Sequence, residues 1–225
     1  MSSIENVWNN LDWSQITDIL YSIIPALICI TVHELSHGFV AYRLGDNTAK
    51  EQGRLTLNPI KHIDVFGLLM MIVLKFGWAK PVPVNMMNFK NPKVGMAITA
   101  LAGPVSNIIL AAVMLIISCP LIALAAGSEI AYTLLQLSMN TAYISIALGI
   151  FNLIPISPLD GSKIVFSFLP EDTYFKIMRY ERYGMILLFI VVWTGILGTP
   201  LSNAAHFLYS HMAEGIWSLY AGIFG

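Results

Sequence analysis

Long apolar runs alternate along this chain with short stretches into which its charge is gathered. Four runs, about Ile19 to Tyr42, Val94 to Ala126, Ile130 to Ile156 and Gly184 to about Leu197, predict membrane-spanning helices. A fifth, Leu201 to Phe224, carries His206, His211 and Glu214 and reads either as a further span or as a helix lying at the surface. Val65 to Phe76 is apolar but only about a dozen residues long, too short to cross, and its flanks are basic on both sides. It is expected to dip into the membrane and return. Around it, Arg54 to Asn58 and Lys80 to Asn85 alternate in the manner of short strands, and Pro81 and Pro83 confine the second to a sheet edge.

Composition turns these runs into a fold class. With 56% hydrophobic and 11% charged residues and a mean hydropathy of +0.71, the expectation is an all-α polytopic membrane protein. It would have about four or five transmembrane helices, a re-entrant segment and a small cytoplasmic β-hairpin. Residues 1–225 read as one domain, with an interfacial segment at 1–17, the re-entrant and hairpin region at 46–92 and a loop at 157–183.

The net charge of -1 says little, but all 12 Lys and Arg residues fall between Arg43 and Lys93 or between Lys163 and Arg182. The positive-inside rule makes those stretches cytoplasmic and puts the N-terminus outside. Residues 1–17 lack a basic n-region and contain Glu5, Trp8 and Asp12, which suits an interfacial helix better than a signal peptide. Tyr174 to Arg182 interleaves basic with aromatic and aliphatic positions, as a helix on the cytoplasmic leaflet would. The lipid bilayer accounts for those charges, and no nucleic acid partner is expected.

Inside the first run lies His33-Glu34-Leu35-Ser36-His37. Histidines four apart stand on one helix face and can close on a single ion. Zinc needs neutral imidazoles and an open position for water, and a flanking carboxylate, Glu34, can take the proton that water gives up. The plain alternative, two histidines bonded to neighbouring helices, must explain three ionisable residues within five positions of a membrane segment. Cys29, one turn above His33, either approaches the ion or simply packs, and Cys119 reads as packing. No disulfide follows from the pair.

A third ligand is available in Asn152-Leu-Ile-Pro155-Ile-Ser-Pro158-Leu-Asp160-Gly161. Asp160 falls where the third span reaches the cytoplasmic side, and His33 lies roughly 15 Å from that boundary at helical rise. The prolines and Gly161 can break the helix and turn a side chain inward. The alternative is a plain helix terminator with a solvated Asp. Asn152 could donate its amide to an oxyanion or glue spans together. Asn58 and Asn107 are candidates for lining a polar cavity or for packing and capping. His62 and Asp64 could orient a ligand, meet a substrate or be solvated. The Pro81–Asn85 edge could take an extended substrate as an added strand or close an ordinary hairpin.

With both motifs in view, the chain resembles the site-2 protease family of intramembrane metallopeptidases over nearly its whole length. The family pairs HExxH on one span with N-x-x-P-x-x-x-x-D-G on another, here His33 to His37 and Asn152 to Gly161. Gly53 to His62, Gly77 to Asn85 and Ala102 to Asn107 are similar to segments of its short members, which lack a PDZ or CBS domain. The resemblance implies one zinc ion per chain held by His33, His37 and Asp160, Glu34 as general base, and Asn152 near the scissile carbonyl. It further implies hydrolysis of peptide bonds in or near transmembrane segments of membrane proteins, by a multi-pass protein of the cell membrane with its site toward the cytoplasm. A metal transporter and an inactive membrane scaffold are the alternatives from other classes. The first requires a polar path to the outer face, and an intact Glu34 argues against the second.

Overall fold

The computed structural model describes residues 13–64, 67 and 79–224. The interfacial reading of residues 1–12 and the re-entrant reading of Val65 to Phe76, Gly67 apart, fall outside these residues. The described chain is helical. Helix α1 (Trp13–Arg43) carries the HExxH motif, α2 (Pro92–Leu124) and α3 (Glu129–Asn152) form a long antiparallel pair, and the short α4 (Asp160–Phe166) begins at the second motif. Then come α5 (Glu171–Arg179), α6 (Glu181–Trp193) and α7 (Gly198–Phe224).

The start of each long helix is written locally. Asn91 accepts the Val94 N–H ahead of Pro92 at the first position of α2, and Ser128 accepts the Ala131 N–H at the start of α3. Helix α1 stops at Gly45, whose φ of 108° is open to glycine at little cost, while the Asp46 N–H closes back on the Ala41 carbonyl. Inside the bundle, small residues let the backbones approach. Ala111 and Ala142 are fully buried, Ser145 Oγ donates to the Asn107 carbonyl at 2.8 Å, and Cys29 Sγ donates to Thr141 O at 3.5 Å. Outward positions such as Ile109 and Ile116 are apolar and more than half exposed, the surface a lipid solvent requires.

Among the described residues, three helices are long and apolar enough to cross a membrane: Tyr21–Arg43, Pro92–Leu124 and Glu129–Asn152. The predicted fourth span differs. Its helix ends at Trp193 after 13 residues, about 20 Å at helical rise and well short of a hydrocarbon core of about 30 Å. Gly195, at φ 70°, caps it, and the chain turns by 84° into α7. Only together does the bent pair pass as a fourth span. Helix α7 runs lengthwise against α2 and α3, burying Ala205 and Ala213 in the core around Leu115 and Ile146.

The predicted hairpin does not form a ladder among the described residues. A single antiparallel bridge joins Ile63 to Ala79. The Lys80 N–H still donates to the His62 carbonyl, but side chains take the groups that follow: Arg54 Nη2 donates to the Lys80 and Pro81 carbonyls at 2.7 and 3.3 Å, Glu34 Oε2 accepts the Val82 N–H at 2.8 Å, and Asp46 Oδ2 accepts the Asn85 N–H at 2.7 Å. Pro81 and Pro83 have no N–H to offer. The result is an extended strap tied at both ends.

Asp46, fully buried, is the knot at one end. It also accepts the Thr48 N–H, the Thr48 hydroxyl and the Asn88 amide. Burial pushes its carboxyl up, but these hydrogen bonds, led by the Thr48 hydroxyl, outweigh it and hold the carboxyl below its ordinary value. A depressed folded-state value contributes stability above the unfolded value, about 3.9, and loses it as pH falls toward the folded value. Asp46→Asn should therefore lower thermal stability at pH 7, by at least about 2 kcal/mol. The gap to wild type should narrow below about pH 4. Melting curves of both proteins in detergent across that range check this; an equal gap at pH 3 and pH 7 would refute it.

Candidate metal centre

The helix repeat stacks His33 and His37 on the inner face of α1, 4% and 8% exposed. The break after α3 returns the chain so that Asp160 opens α4 against them. His33 Nε2 and His37 Nε2 each lie 3.1 Å from Asp160 Oδ2 and 3.0 Å from each other. Three ligand atoms at the corners of such a triangle match one face of a zinc tetrahedron, whose edges are about 3.3 Å for bonds near 2.0–2.1 Å.

The surroundings fit a metal in three further ways. Asp160 Oδ2 is buried without a hydrogen bond that satisfies it. His37 Nδ1 donates to the Thr99 carbonyl at 2.7 Å, which leaves the Nε2 lone pair toward the ion. At Gly103 of α2, a Cβ would stand 2.5 Å from His33 Cε1 and 2.5 Å from His37 Nε2, so only glycine lets α2 pass behind the imidazoles.

Asn107, fully buried, completes the second layer. Its amide meets His33 Nδ1 at 3.2 Å through Nδ2, while its Oδ1 has no partner. With Nε2 of His33 facing Asp160, Nδ1 must carry the proton, and the amide oxygen belongs on the side of His33. Asn oxygen and nitrogen are assigned from the network, and the turned amide gives both histidines a carbonyl that orients them. Asn107 thus orients His33 and lines neither of the two cavities that meet at Glu34.

Glu34 sits beside the triangle, and two cavities meet at this point. One, of about 240 Å³, is walled by Val82, Val84, Met96 and Thr99. The other, of about 360 Å³, opens between α1, α3 and α6 past Ile30, Leu148, Met185 and Leu188. His33, Glu34, Asn152 and Lys163 line both. Asn152 Nδ2 donates to Leu148 O of its own helix at 3.0 Å, so it is not glue between spans and retains a second amide N–H.

Gly161 acts differently from the expected chain breaker. A Cβ there would collide with the Leu153 and Ile154 carbonyls, so the glycine lets α4 dock on the loop that precedes it; the prolines make the break. His62 is 1% exposed, donates from Nε2 to Thr56 O at 2.9 Å and lines neither cavity, so it staples the loop and is not solvated. Asp64 accepts the Gly67 N–H and Asn58 accepts the Ile60 N–H, both local caps. Cys29 packs and stays outside the metal group. Sequence reasoning did not single out Thr99, Gly103, Asp46, Val82 or Lys163. Lys163, one turn after Asp160 on the same helix face, was findable by spacing; the Thr99 contribution is a backbone carbonyl and leaves no mark in the sequence.

Comparison with known proteins agrees with this geometry. Residues 117–197 match the model of peptidase family M50, a stretch that holds Asn152 and Asp160 but begins after the histidines. The chain is 39% identical over 210 residues, 91% of its length and 92% of the relative's, to "Putative zinc metalloprotease YwhC" of Bacillus subtilis. It is 24% identical to the similarly named Rip2 of Mycolicibacterium smegmatis, over 87% of its length and 75% of the relative's. It is 26% identical to "Zinc metalloprotease MJ0392" of Methanocaldococcus jannaschii, of which the match covers 45%. No solved structure matches the chain. A paired-motif centre on membrane helices, in a chain that aligns over 91% of its length with a relative of this kind, makes the protein a zinc metalloprotease of peptidase family M50, the site-2 proteases.

Proposed function

We propose that the protein hydrolyses peptide bonds in or near transmembrane segments of membrane proteins, with His33, His37 and Asp160 as zinc ligands, Glu34 as general base and Asn152 as oxyanion donor. The observation that carries this reading is the convergence of three buried ligand-type atoms within 4.8 Å of one another, two from a helix of membrane-spanning length and one from the start of α4, beside a carboxylate and a cavity. Zinc bound there would polarise the scissile carbonyl and bring water to a reactive pKa. The Val82 N–H holds Glu34 Oε2, which fixes the carboxylate and leaves Oε1 to take the proton and return it to the departing amine. The second N–H of Asn152 is available to the developing oxyanion.

A scissile bond within a helix is shielded by its own hydrogen bonds, so substrates with weak helix formers near the cut are favoured. The apolar mouth between α1 and α6 suits entry of a substrate from the lipid, and the extended strap suits an unwound segment lying beside it. The basic residues gathered at the site's end of the bundle support an orientation with that end toward the cytoplasm of a cell membrane.

The direct test is metal analysis of the purified protein beside His33→Ala and Asp160→Ala. Wild type should carry about one zinc per chain and both variants close to none. A folded wild type without zinc, or an Asp160→Ala protein that keeps it, overturns the ligand set.

A further inference from the structure

The mechanism leaves unused the ionisable residues of α7. Two contacts give the depth at which they lie. Trp217 Nε1 donates to Ser118 Oγ of α2 at 2.9 Å, and the Tyr209 ring meets the Tyr143 ring of α3 at 5.7 Å between centroids. Tyr143 is two residues from Ser145, which bonds the Asn107 carbonyl. Helix α7 therefore runs parallel to α2, each residue about level with the one some hundred positions earlier. Glu214 is level with Leu115, ten residues from Phe224 and thus about 15 Å from that end, half the thickness of a hydrocarbon core. His211 is level with Ala111.

Both side chains point away from the bundle. Ala205 and Ala213 are buried against α2 and α3, whereas His211, Glu214 and Ser218 are exposed on the opposite side of the helix. Glu214 has no hydrogen-bond or ion-pair partner among the described residues. His211 donates from Nδ1 to the Phe207 carbonyl at 2.8 Å, which leaves Nε2 facing outward as an acceptor. An ionisable pair at mid-membrane depth on a lipid-facing surface is expensive, and such groups pair with one another or with a partner.

We propose that this face of α7 is the interface of a two-fold dimer, in which His211 of each chain pairs with Glu214 of the other. The occupant follows from the stripe itself. One chain presents both members of the pair one turn apart; a two-fold axis along the membrane normal sets identical residues at equal depth, so each His211 reaches diagonally, over about 4.5 Å of helical rise, to a Glu214 of the other chain, and two equal contacts form. Each contact shares one proton between Nε2 and the carboxyl and is neutral overall. The same face carries Gly215, Ser218 and Gly222, and a Cβ at either glycine would meet nothing within 4 Å, so two copies of the helix can approach closely. A different partner would have to bring its own acid and base in the matching order.

The experiment uses the full chain in native-like bilayers and does not depend on proteolysis. Wild type reconstituted in lipid nanodiscs should appear as a dimer by native mass spectrometry, and Ser218→Cys should cross-link to itself with a short bismaleimide in intact membranes. The wild type, whose Cys29 and Cys119 are buried, should not. His211→Leu and Glu214→Leu should each weaken the dimer by about tenfold or more, while Glu214→Gln, which keeps a donor for Nε2, should retain it. Unchanged zinc content in every variant shows that the fold is intact. A monomeric wild type, a dimer indifferent to both leucine substitutions, or a different protein bound at α7 in place of a second copy overturns the proposal.

Discussion

Glu34→Gln should leave the zinc content unchanged and cut cleavage of a transmembrane substrate by about 10²–10⁴, the range of a lost general base. The two readouts separate because Glu34 is not one of the three residues whose side-chain atoms converge as a candidate metal site. Glutamine keeps one carbonyl oxygen, which can still accept the Val82 N–H, so the strap stays tied and the loss is chemical. Alanine would untie it and confuse the two effects. Cleavage in detergent or liposomes, followed by gel or mass spectrometry alongside metal analysis, decides the matter. A Glu34→Gln protein that cleaves at the wild-type rate would remove the base assignment, and one that loses zinc would assign Glu34 to the metal. The same variant should hold substrate without cutting it, which gives a route to substrates.

Gly103→Ala has the next largest expected effect, and two opposing terms set its form. In a helix interior alanine is favoured over glycine by about 1 kcal/mol, so α2 by itself gains. The new methyl, however, would lie 2.5 Å from both imidazoles, a distance that real side chains do not tolerate. The rings must swing away from Asp160, and misplacing ligands lowers metal affinity by at least the 10–100-fold typical of losing an outer partner. The expected result is a helical, well-folded protein with zinc affinity reduced by about 100-fold or more. Circular dichroism with competitive zinc titration checks both halves. Wild-type zinc affinity in Gly103→Ala would show that the imidazoles have room to move.

Four buried hydroxyls that a transporter's polar path could have used are bonded within the bundle instead. Ser118, Ser138 and Thr141 donate to carbonyls of their own helices, and Ser145 donates to the Asn107 carbonyl. These hydroxyls are satisfied inside the bundle and line no passage.

The sequence by itself determined what depends on local pattern. Apolar runs of sufficient length predict α1, α2 and α3, because a chain in lipid must satisfy its backbone bonds within the segment. The four-residue spacing of His33 and His37 places them on one face, and the second motif carries the Asp160 that converges with them. Hydropathy could not tell that Gly184–Leu197 forms only half of a bent pair, since a cap at Gly195 and a turn of 84° leave composition unchanged. Alternation around Pro81 and Pro83 suggested a hairpin, but Arg54, Glu34 and Asp46 compete for the same backbone groups from 26 to 48 residues away.

What only the tertiary structure decided rests on contacts between distant segments: Thr99 and Asn107 orienting the imidazoles, Gly103 leaving room for them, Gly161 letting α4 dock, and α7 packing lengthwise on α2 and α3 with Glu214 outward. Each is a matter of which backbone passes close to which side chain. No window of neighbouring residues records such an approach, because the packing of separate helices creates it.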